Sequence, residues 1–484
     1  MAVAGDMHLS YLATRAYYNI YLHPLAKFPG PKIWAAVRLM WAWSYTSGSN
    51  HSRIKRLHGQ YGPVVRVAPD ELSFIDARAW NDIYAKGPGN KGLERSKVLR
   101  NAQPVDVVFN SNGEDHTRVR RKLLQSFSEQ PLVKQEPILQ EYVTKVMNGL
   151  RRASEAGETV DLVEWFNWFS FDVFGELAFS ESFEQLEKEE SHYWVKLLDS
   201  YLKGTMIGIC LGHYPPIMQI ARLLAPSVIN RLVEQLTSPV RDKINRRIKR
   251  CDHENLEDAM ASLLPQSNDN NTIPDPETFT SSIALLILAG SETVATTLAA
   301  ITNALTSDQR MMQKLCEEVK SAPSRQELTL SILAQMPYLN AVIKEGLRLC
   351  HPVPSYLARV TPPEGKIIAG HFVPGNTQVG IPYFAIYTSE SNFVHAERFW
   401  PERWLATNPP DESSNVVFQP FMVGGHSCPG QVLARAELRL VLARLLYEFD
   451  IEALSRFCWD EQESYLMWKK RAFAVRLRAL KREG

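Results

Sequence analysis

Hydrophobic and polar positions follow a helical period over most of this chain, with one clear exception. Between Val64 and Ile75, apolar and polar side chains alternate on either side of Pro69-Asp70, which predicts two short strands joined by a turn. The polar runs at 266–275 and 406–415 predict surface loops, and neither is long enough to mark a domain boundary. The pattern therefore predicts a mainly α-helical chain with a small β component and no internal repeats.

The most apolar helical segment carries polar residues at its centre. An Asp-Pro-Glu sequence at 275–277 is a good helix start, and the helical pattern continues to about residue 306. Within it, Ile283–Ala289 leads into Glu292 and Thr293. The Thr293 hydroxyl can bond the carbonyl of Ala289 and open the helix locally. A carboxylate in such a stretch is costly unless it is paired or functional, although the threonines of a plain core helix would also bond backbone carbonyls.

The N-terminus is aromatic but short, and Arg15 interrupts it. It predicts a segment that lies on a membrane without crossing it, and no signal peptide or spanning helix is found. The proline-stiffened stretch at 23–32 follows. We therefore expect residues 1–30 to form a membrane-associated or hinge segment from which an anchor is largely missing.

Composition excludes several classes of protein. The 484 residues are 45% hydrophobic and 22% charged, as in an ordinary globular chain. A net charge of +1 argues against a nucleic-acid partner, because no basic excess is available to neutralise phosphates. Six cysteines are scattered without a Cys-x-x-Cys pair, which makes a disulfide framework or a zinc site an unfavourable interpretation.

One cysteine lies in a glycine-rich loop directly before an amphipathic helix. The loop runs from Phe421 to Gly430 and contains Gly424, Gly425 and Cys428. Glycines let a backbone approach a flat macrocycle, and the proline after the cysteine suits a first helical position. Free N–H groups at the helix start stabilise a thiolate, and a thiolate ligand on haem iron favours O–O cleavage. The loop is therefore suited to offer a thiolate to haem iron.

The sequence Phe421-Met-Val-Gly-Gly-His-Ser-Cys428-Pro-Gly430, followed by Leu-Ala-x-x-Glu437, resembles the cysteine signature of the cytochrome P450 family. His426 stands where that family usually has arginine. The resemblance runs from Tyr18 onward and is closest to fungal secondary-metabolism members of the isotrichodermin hydroxylase type. It implies the cytochrome P450 fold, one large helical domain with small β-sheets over 31–484, with Cys428 as the axial ligand of haem b.

The same resemblance implies roles for residues elsewhere. Glu292 would be a proton conduit, and Thr293 would donate a hydrogen bond to activated dioxygen. Glu345 and Arg348, three apart on one helix face, would join Arg403 in a buried structural network. The other residues implied to bind haem are His116, Arg120, Arg359, His426, Phe421, Gly430 and Ala289.

Counting back from Thr293 by helical turns places Leu285, Leu286 and Ala289 above the haem. By resemblance, the remaining walls of a substrate pocket come from Val105, Val108, Phe109, Ser355, Tyr356, Leu357, Leu466 and Met467. These residues are mostly apolar, with Ser355 and Tyr356 as candidate hydrogen-bond partners. They predict a hydrophobic, rigid substrate such as a terpenoid or a polyketide, although core packing would explain the leucines equally well.

The implied function is a monooxygenase that uses O2 and electrons from NADPH-cytochrome P450 reductase, with cytochrome b5 as a further partner. The implied location is the cytosolic face of the endoplasmic reticulum membrane. Arg118, Arg121 and Lys122 would form either a docking surface for the reductase or a solvated basic face. Two other functions stay open: a reductase-independent haem-thiolate enzyme (peroxygenase, rearrangement or oxidative coupling), and a non-catalytic haem sensor or carrier.

Overall fold

The computed structural model describes residues 2–85, 92–98, 117, 120–124, 127–224, 226–251, 276–405 and 416–480. Helices dominate, as the hydrophobic pattern predicts. In chain order the α-helices are α1 Ala2–Tyr17, α2 Lys32–Ala36, α3 Leu39–Thr46, α4 Asn50–Tyr61, α5 Ala79–Ile83, α6 Glu129–Ala156, α7 Leu162–Phe179, α8 Gln185–Lys188, α9 Tyr193–Gly212, α10 Pro215–Leu224, α11 Pro226–Cys251, α12 Pro276–Ser307, α13 Gln309–Val319, α14 Leu330–Ala334, α15 Pro337–Leu349, α16 Tyr383–Tyr387 and α17 Gln431–Glu448.

The strands form small sheets. They are β1 Val64–Ala68, β2 Glu71–Phe74, β3 Glu94–Arg95, β4 Thr159–Asp161, β5 Arg359–Val360, β6 Lys366–Ile368, β7 His371–Val373, β8 Gln378–Gly380, β9 Phe449–Ala453, β10 Ser464–Tyr465, β11 Met467–Trp468 and β12 Ala474–Ala479. The largest sheet has the order β1-β2-β8-β5-β3. Strands β1 and β2 pair in antiparallel fashion with Val64 opposite Phe74, which confirms the predicted strand pair around Pro69-Asp70.

The central helix is α12, and it packs along α7. Its start at Pro276 and its end at Ser307 agree with the predicted helix, while Asp275 lies outside the described residues. Phe174 on α7 fills the notch at Gly290, where an added Cβ would approach its ring to 2.5 Å. Among the described residues, α12 is the helix long and apolar enough to cross a membrane, and its most apolar window is 72% buried. Its apolar surface is therefore used in the protein core.

The C-terminal part of the chain folds back onto the central helices. Strand β12 pairs with both β9 and β4, which anchors the segment between β9 and β12 beside the start of α7. Within that segment β10 and β11 form a two-stranded hairpin with Ser464 opposite Trp468. This hairpin, called the C-terminal hairpin below, brings Met467 to the wall of an internal cavity.

Candidate active site

An internal cavity of about 320 Å³ lies between α12 and the cysteine loop. Cys428 lines one side, and Ala289, Gly290 and Thr293 of α12 line the other. Most of the predicted site residues that are described meet here. They are Leu286, Ala289, Thr293, Tyr356, Leu357, Arg359, Phe421, His426, Cys428, Gly430 and Met467.

The cysteine loop is held by its own backbone and by Arg120. The Cys428 N–H donates to the Phe421 carbonyl at 2.8 Å, and the Ser427 N–H donates to the Gly424 carbonyl at 3.2 Å. Arg120 donates from Nη1 to the Ser427 carbonyl and from Nη2 to the Ser427 hydroxyl at 2.8 Å. Arg120, which was predicted to bind haem, therefore holds the residue before the cysteine and is absent from the described cavity lining.

Two details of the loop differ from the prediction. Helix α17 begins at Gln431 with Gly430 as its N-cap, so the proline after the cysteine precedes the helix instead of opening it. Gly424 does have a positive φ of 75°, but its missing side chain makes room for protein backbone: an added Cβ would lie 2.1 Å from the Tyr84 carbonyl. At Gly430, an added Cβ would meet open space, as expected where a macrocycle approaches.

Protein groups alone do not make Cys428 a thiolate. Burial raises the pKa of the Cys428 thiol, and the Gly430 N–H and the charge of Arg120 oppose that shift only in part. A bound metal ion deprotonates a coordinating thiol outright. The cysteine is therefore shielded and correctly presented, and iron would complete its ionisation.

Two arginines on the cavity wall, one of them fully buried, favour an anion beside them. Arg359 on β5 pairs with Arg95 on β3, and both line the cavity. Arg359 is 1% exposed, and within the described part of the chain its Nη1 has no hydrogen-bond partner. Burial lowers the pKa of Arg359, and burial together with the like charge of Arg359 lowers the pKa of Arg95 to about 9. Buried charges of one sign need compensation, and the carboxylates of haem would supply it. The residues present therefore fit haem.

The two histidines predicted at the haem have different outcomes. His426 lines the cavity. His116 lies outside the described residues, as does Arg118.

On α12, the two residues predicted to deliver protons, Thr293 and Glu292, point in different directions. Thr293 lines the cavity, and its hydroxyl donates to the Ala289 carbonyl at 2.9 Å. The predicted local opening is absent from this part of the chain, because α12 is helical without interruption. Glu292 is 3% exposed and turns instead to Lys470, whose ammonium donates to its carboxylate.

The two hydroxyl groups that were predicted to bind substrate, those of Ser355 and Tyr356, form hydrogen bonds with other protein side chains. The Tyr356 hydroxyl donates to Glu71 at 2.8 Å, so that its ring alone faces the cavity. Ser355 is absent from the described cavity lining, and its hydroxyl bonds Tyr45 at 2.9 Å and Asn50 at 3.2 Å. Leu285 and Leu466 likewise fall outside this lining. Val105, Val108 and Phe109 lie outside the described residues.

A buried ionic network stands between α15 and the segment that precedes the cysteine loop. Arg348 donates to Glu345 at 3.0 and 2.7 Å, and Arg403 donates to Glu345 at 3.2 Å. The Trp400 N–H and the Trp404 indole N–H also donate to this carboxylate, each at 2.8 Å. Side chains of Glu345 and Arg348 are fully buried, and that of Arg403 is nearly so. The three predicted side chains are therefore in direct contact, and their role in securing the haem-loop region stays a prediction.

Three residues of the site escape sequence reasoning. Arg95 is a single cation in a two-residue strand, and only its pairing with Arg359 brings it to the cavity. Phe174 reaches the cavity from α7 by packing on Gly290. Lys470 contacts Glu292 across 178 residues of sequence. Of these three, only Phe174 had a signal in the sequence: Gly290 lies in the middle of a helix, and a glycine there marks a place where another side chain approaches closely.

Comparisons with known proteins agree with this geometry. The family profile described as Cytochrome P450 matches residues 29–474. The chain is 36% identical to cytochrome P450 monooxygenase atr2 of Stereocaulon alpinum, over 100% of this chain and 96% of that protein. It is 38% identical to cytochrome P450 monooxygenase astD of Aspergillus oryzae (90% and 86% covered) and 34% identical to cytochrome P450 monooxygenase FUM2 of Gibberella moniliformis (95% and 98% covered).

These matches span nearly the whole chain, and the cysteine loop, the central helix and the two arginines on the cavity wall have an arrangement that suits a haem-thiolate site. This chain therefore belongs to the cytochrome P450 family and is a cytochrome P450 monooxygenase.

Proposed function

We propose that this monooxygenase oxidises an apolar secondary metabolite of the terpenoid or polyketide type, using O2 and electrons from an NADPH-dependent flavoprotein reductase. The observation that carries the proposal is the cavity in which Cys428 faces Ala289 and Thr293 across apolar walls. Residues 31–484 would form the catalytic domain, with residues 1–30 as a membrane-associated segment.

Haem-thiolate iron, when bound, supplies the reductive activation of O2 and the transfer of one oxygen atom. Cys428 Sγ would hold the iron, while Arg359, Arg95 and His426 would bind the carboxylates of the haem. The walls formed by Phe174, Leu286, Val294, Val353, Leu357 and Met467 would exclude water and orient the substrate by shape. No hydroxyl of Ser355 or Tyr356 is left to orient it, because both are bonded elsewhere.

Proton delivery falls to Thr293 and Glu292 in this proposal. Thr293 holds a proton at Oγ1 on the cavity wall, in a hydrogen bond to the Ala289 carbonyl. Rotation of its side chain would turn that proton into the cavity. Glu292, the residue before Thr293 on α12, would leave Lys470, take up a proton from solvent water and pass it on to Thr293. General acid catalysis of this kind contributes roughly 10²–10⁴-fold to rates.

The proposal is tested by a spectral binding screen followed by reconstitution. Sesquiterpenoids and polyketides are expected to shift the haem spectrum on binding, whereas small charged acids are not, because the cavity walls are apolar. A ligand from the screen should then be oxidised only with O2, NADPH and a P450 reductase. Thr293→Ala is expected to keep ligand binding and NADPH consumption but to release hydrogen peroxide in place of product.

Three other results of these experiments would contradict parts of the proposal. Binding of small charged acids alone would contradict the proposed substrate class. Turnover with hydrogen peroxide but not with reductase would assign the chain to the reductase-independent class. Equal product per NADPH in Thr293→Ala would contradict the proton-delivery role.

We also propose that one apolar surface rests on a membrane, which would be that of the endoplasmic reticulum. Helix α10 exposes Leu223 and Leu224, which are 79% and 80% accessible. Helix α3, which packs against α9, exposes Leu39 and Trp43, and the ring centroid of its Trp41 lies 5.0 Å from that of His213 at the end of α9. Exposed aromatic residues of α1, including Tyr11 and Tyr17, extend the apolar character towards the N-terminus. An exposed apolar area of this extent is typical of a binding surface.

Replacing Leu223 and Leu224 together by glutamate is expected to weaken binding to phosphatidylcholine vesicles, measured by sedimentation, by at least about tenfold, because about 1.5–3 kcal/mol is gained for each leucine that leaves water and about 1.4 kcal/mol corresponds to a factor of ten. Val133→Glu is the matched control. Val133 is 71% exposed on α6, which packs against α7 and α17. If both variants sediment equally, α10 does not contact the bilayer.

A further inference from the structure

Lys470 forms a buried ion pair with Glu292, and the two side chains are 6% and 4% exposed. The same ammonium donates to Asn167 Oδ1 at 3.1 Å and to Thr296 Oγ1 at 3.4 Å. Glu292 and Thr296 belong to α12, Asn167 belongs to α7, and Lys470 lies in the segment that follows β11. Three separate parts of the fold therefore meet at the Lys470 ammonium group.

The backbone around Lys470 is fixed on both sides. Bonds that restrain it are Trp468 Nε1 to the His351 carbonyl (2.8 Å), the Lys469 N–H to the Glu463 carbonyl (2.9 Å), the Arg471 N–H to Gln462 Oε1 (3.0 Å) and the Phe473 N–H to Asp161 Oδ1 (2.8 Å). Lysine side chains are flexible, and such support is what places one accurately. Lys470 is thus presented to Glu292 by a rigid segment.

The ion pair decides which way Glu292 points. Thr293 belongs to the described lining of the cavity, whereas Glu292 does not. Consecutive residues of an α-helix point about 100° apart, since 3.6 residues make one turn. The carboxylate is therefore drawn towards α7 and away from the cavity, and it must leave Lys470 to serve Thr293.

We propose that Lys470 is a positioning residue for the proton-delivering acid: it keeps Glu292 ionised and turned towards α7 until a proton is needed at the cavity. This inference rests on the proposed role of Glu292 in proton delivery. Met467 of the C-terminal hairpin lines the cavity three residues before Lys470, so the segment that holds the acid also contacts the space for substrate.

The test compares Lys470→Met, which removes the charge, with Lys470→Arg, which retains it. Lys469→Met is the matched control, because Lys469 is half exposed and pairs with Glu463 at 3.4 Å. The first readout is the infrared carbonyl stretch of protonated carboxyl groups in the resting protein at neutral pH, which requires no turnover. Lys470→Met is expected to gain one such band, because a buried carboxylate without its cation takes up a proton. The band should be absent from Lys470→Arg, from Lys469→Met and from the Lys470→Met/Glu292→Gln double variant.

The second readout is product formed per NADPH consumed. Lys470→Met is expected to lower it at least about tenfold, to the level of Glu292→Gln, with Lys470→Arg restoring most of it. If Lys470→Met does not accumulate, Lys470→Gln carries the same comparison. A Lys470→Met protein with the wild-type infrared spectrum, or with wild-type product per NADPH, would overturn the inference and leave the proposed function intact. Lack of NADPH-dependent product from the wild-type protein would contradict the proposed function, and the infrared comparison would still decide whether Lys470 keeps Glu292 ionised.

Discussion

Replacing Cys428 by serine is expected to abolish the thiolate-type spectrum of the reduced protein with carbon monoxide. Cys428 is the one described cysteine that lines the cavity, and its backbone is fixed by the Phe421 carbonyl. A serine at the same place offers a neutral hydroxyl, which does not donate electron density to iron as a thiolate does. Haem content should also fall, because a ligand bond is lost.

The other cysteines provide controls that separate ligation from general damage. Cys350 is more deeply buried than Cys428, at the end of α15, and burial raises the pKa of its thiol well above the usual value. Cys458 is exposed. Serine at either position, or at Cys210, Cys251 or Cys316, should leave the carbon monoxide spectrum unchanged. A normal spectrum from the Cys428→Ser protein would refute the ligand assignment.

Local chemistry made the cysteine loop and α12 predictable from the sequence. The bounds of α12 follow from the Pro276 helix start and from an apolar stretch long enough for a core helix. The β1–β2 pair follows from apolar and polar residues that alternate on either side of a turn. In each case the residues that determine the structure are neighbours in the chain.

Features made by distant residues were not predictable in the same way. Tyr356 carries a polar group beside the cavity, yet Glu71, which is 285 residues away, captures its hydroxyl. Glu292 lies next to Thr293 in sequence, yet the C-terminal segment turns it away from the cavity. In both cases the sequence shows a polar side chain without showing its partner, and the partner decides whether that side chain is available to substrate.

The network around Glu345 contains one contact between neighbours in the sequence and several contacts between distant residues. The spacing of Glu345 and Arg348 predicts a helical pair, but the distances show a hub that accepts five hydrogen bonds from Arg348, Arg403, Trp400 and Trp404. Both arginines also donate hydrogen bonds to backbone carbonyls of the segment 387–398. For example, Arg348 Nη1 donates to the carbonyls of Tyr387 and Ala396, each at 2.6 Å. The carboxylate is therefore the counter-charge shared by two buried cations that hold this segment against α15.

Glu345→Ala is expected to lower the free energy of unfolding by about 3–5 kcal/mol, because it leaves buried guanidinium groups without their counter-charge. That is a large part of the 5–15 kcal/mol typical of a folded domain, so haem content should fall as well. Denaturant unfolding and the ratio of haem to polypeptide measure the two effects. Glu397→Ala is the control, since Glu397 is 67% exposed in its pair with Lys55 and exposed pairs contribute at most about 1 kcal/mol. Equal unfolding midpoints for the two variants would show that the Glu345 network does not stabilise the fold, and the haem loop would then have to depend on other contacts.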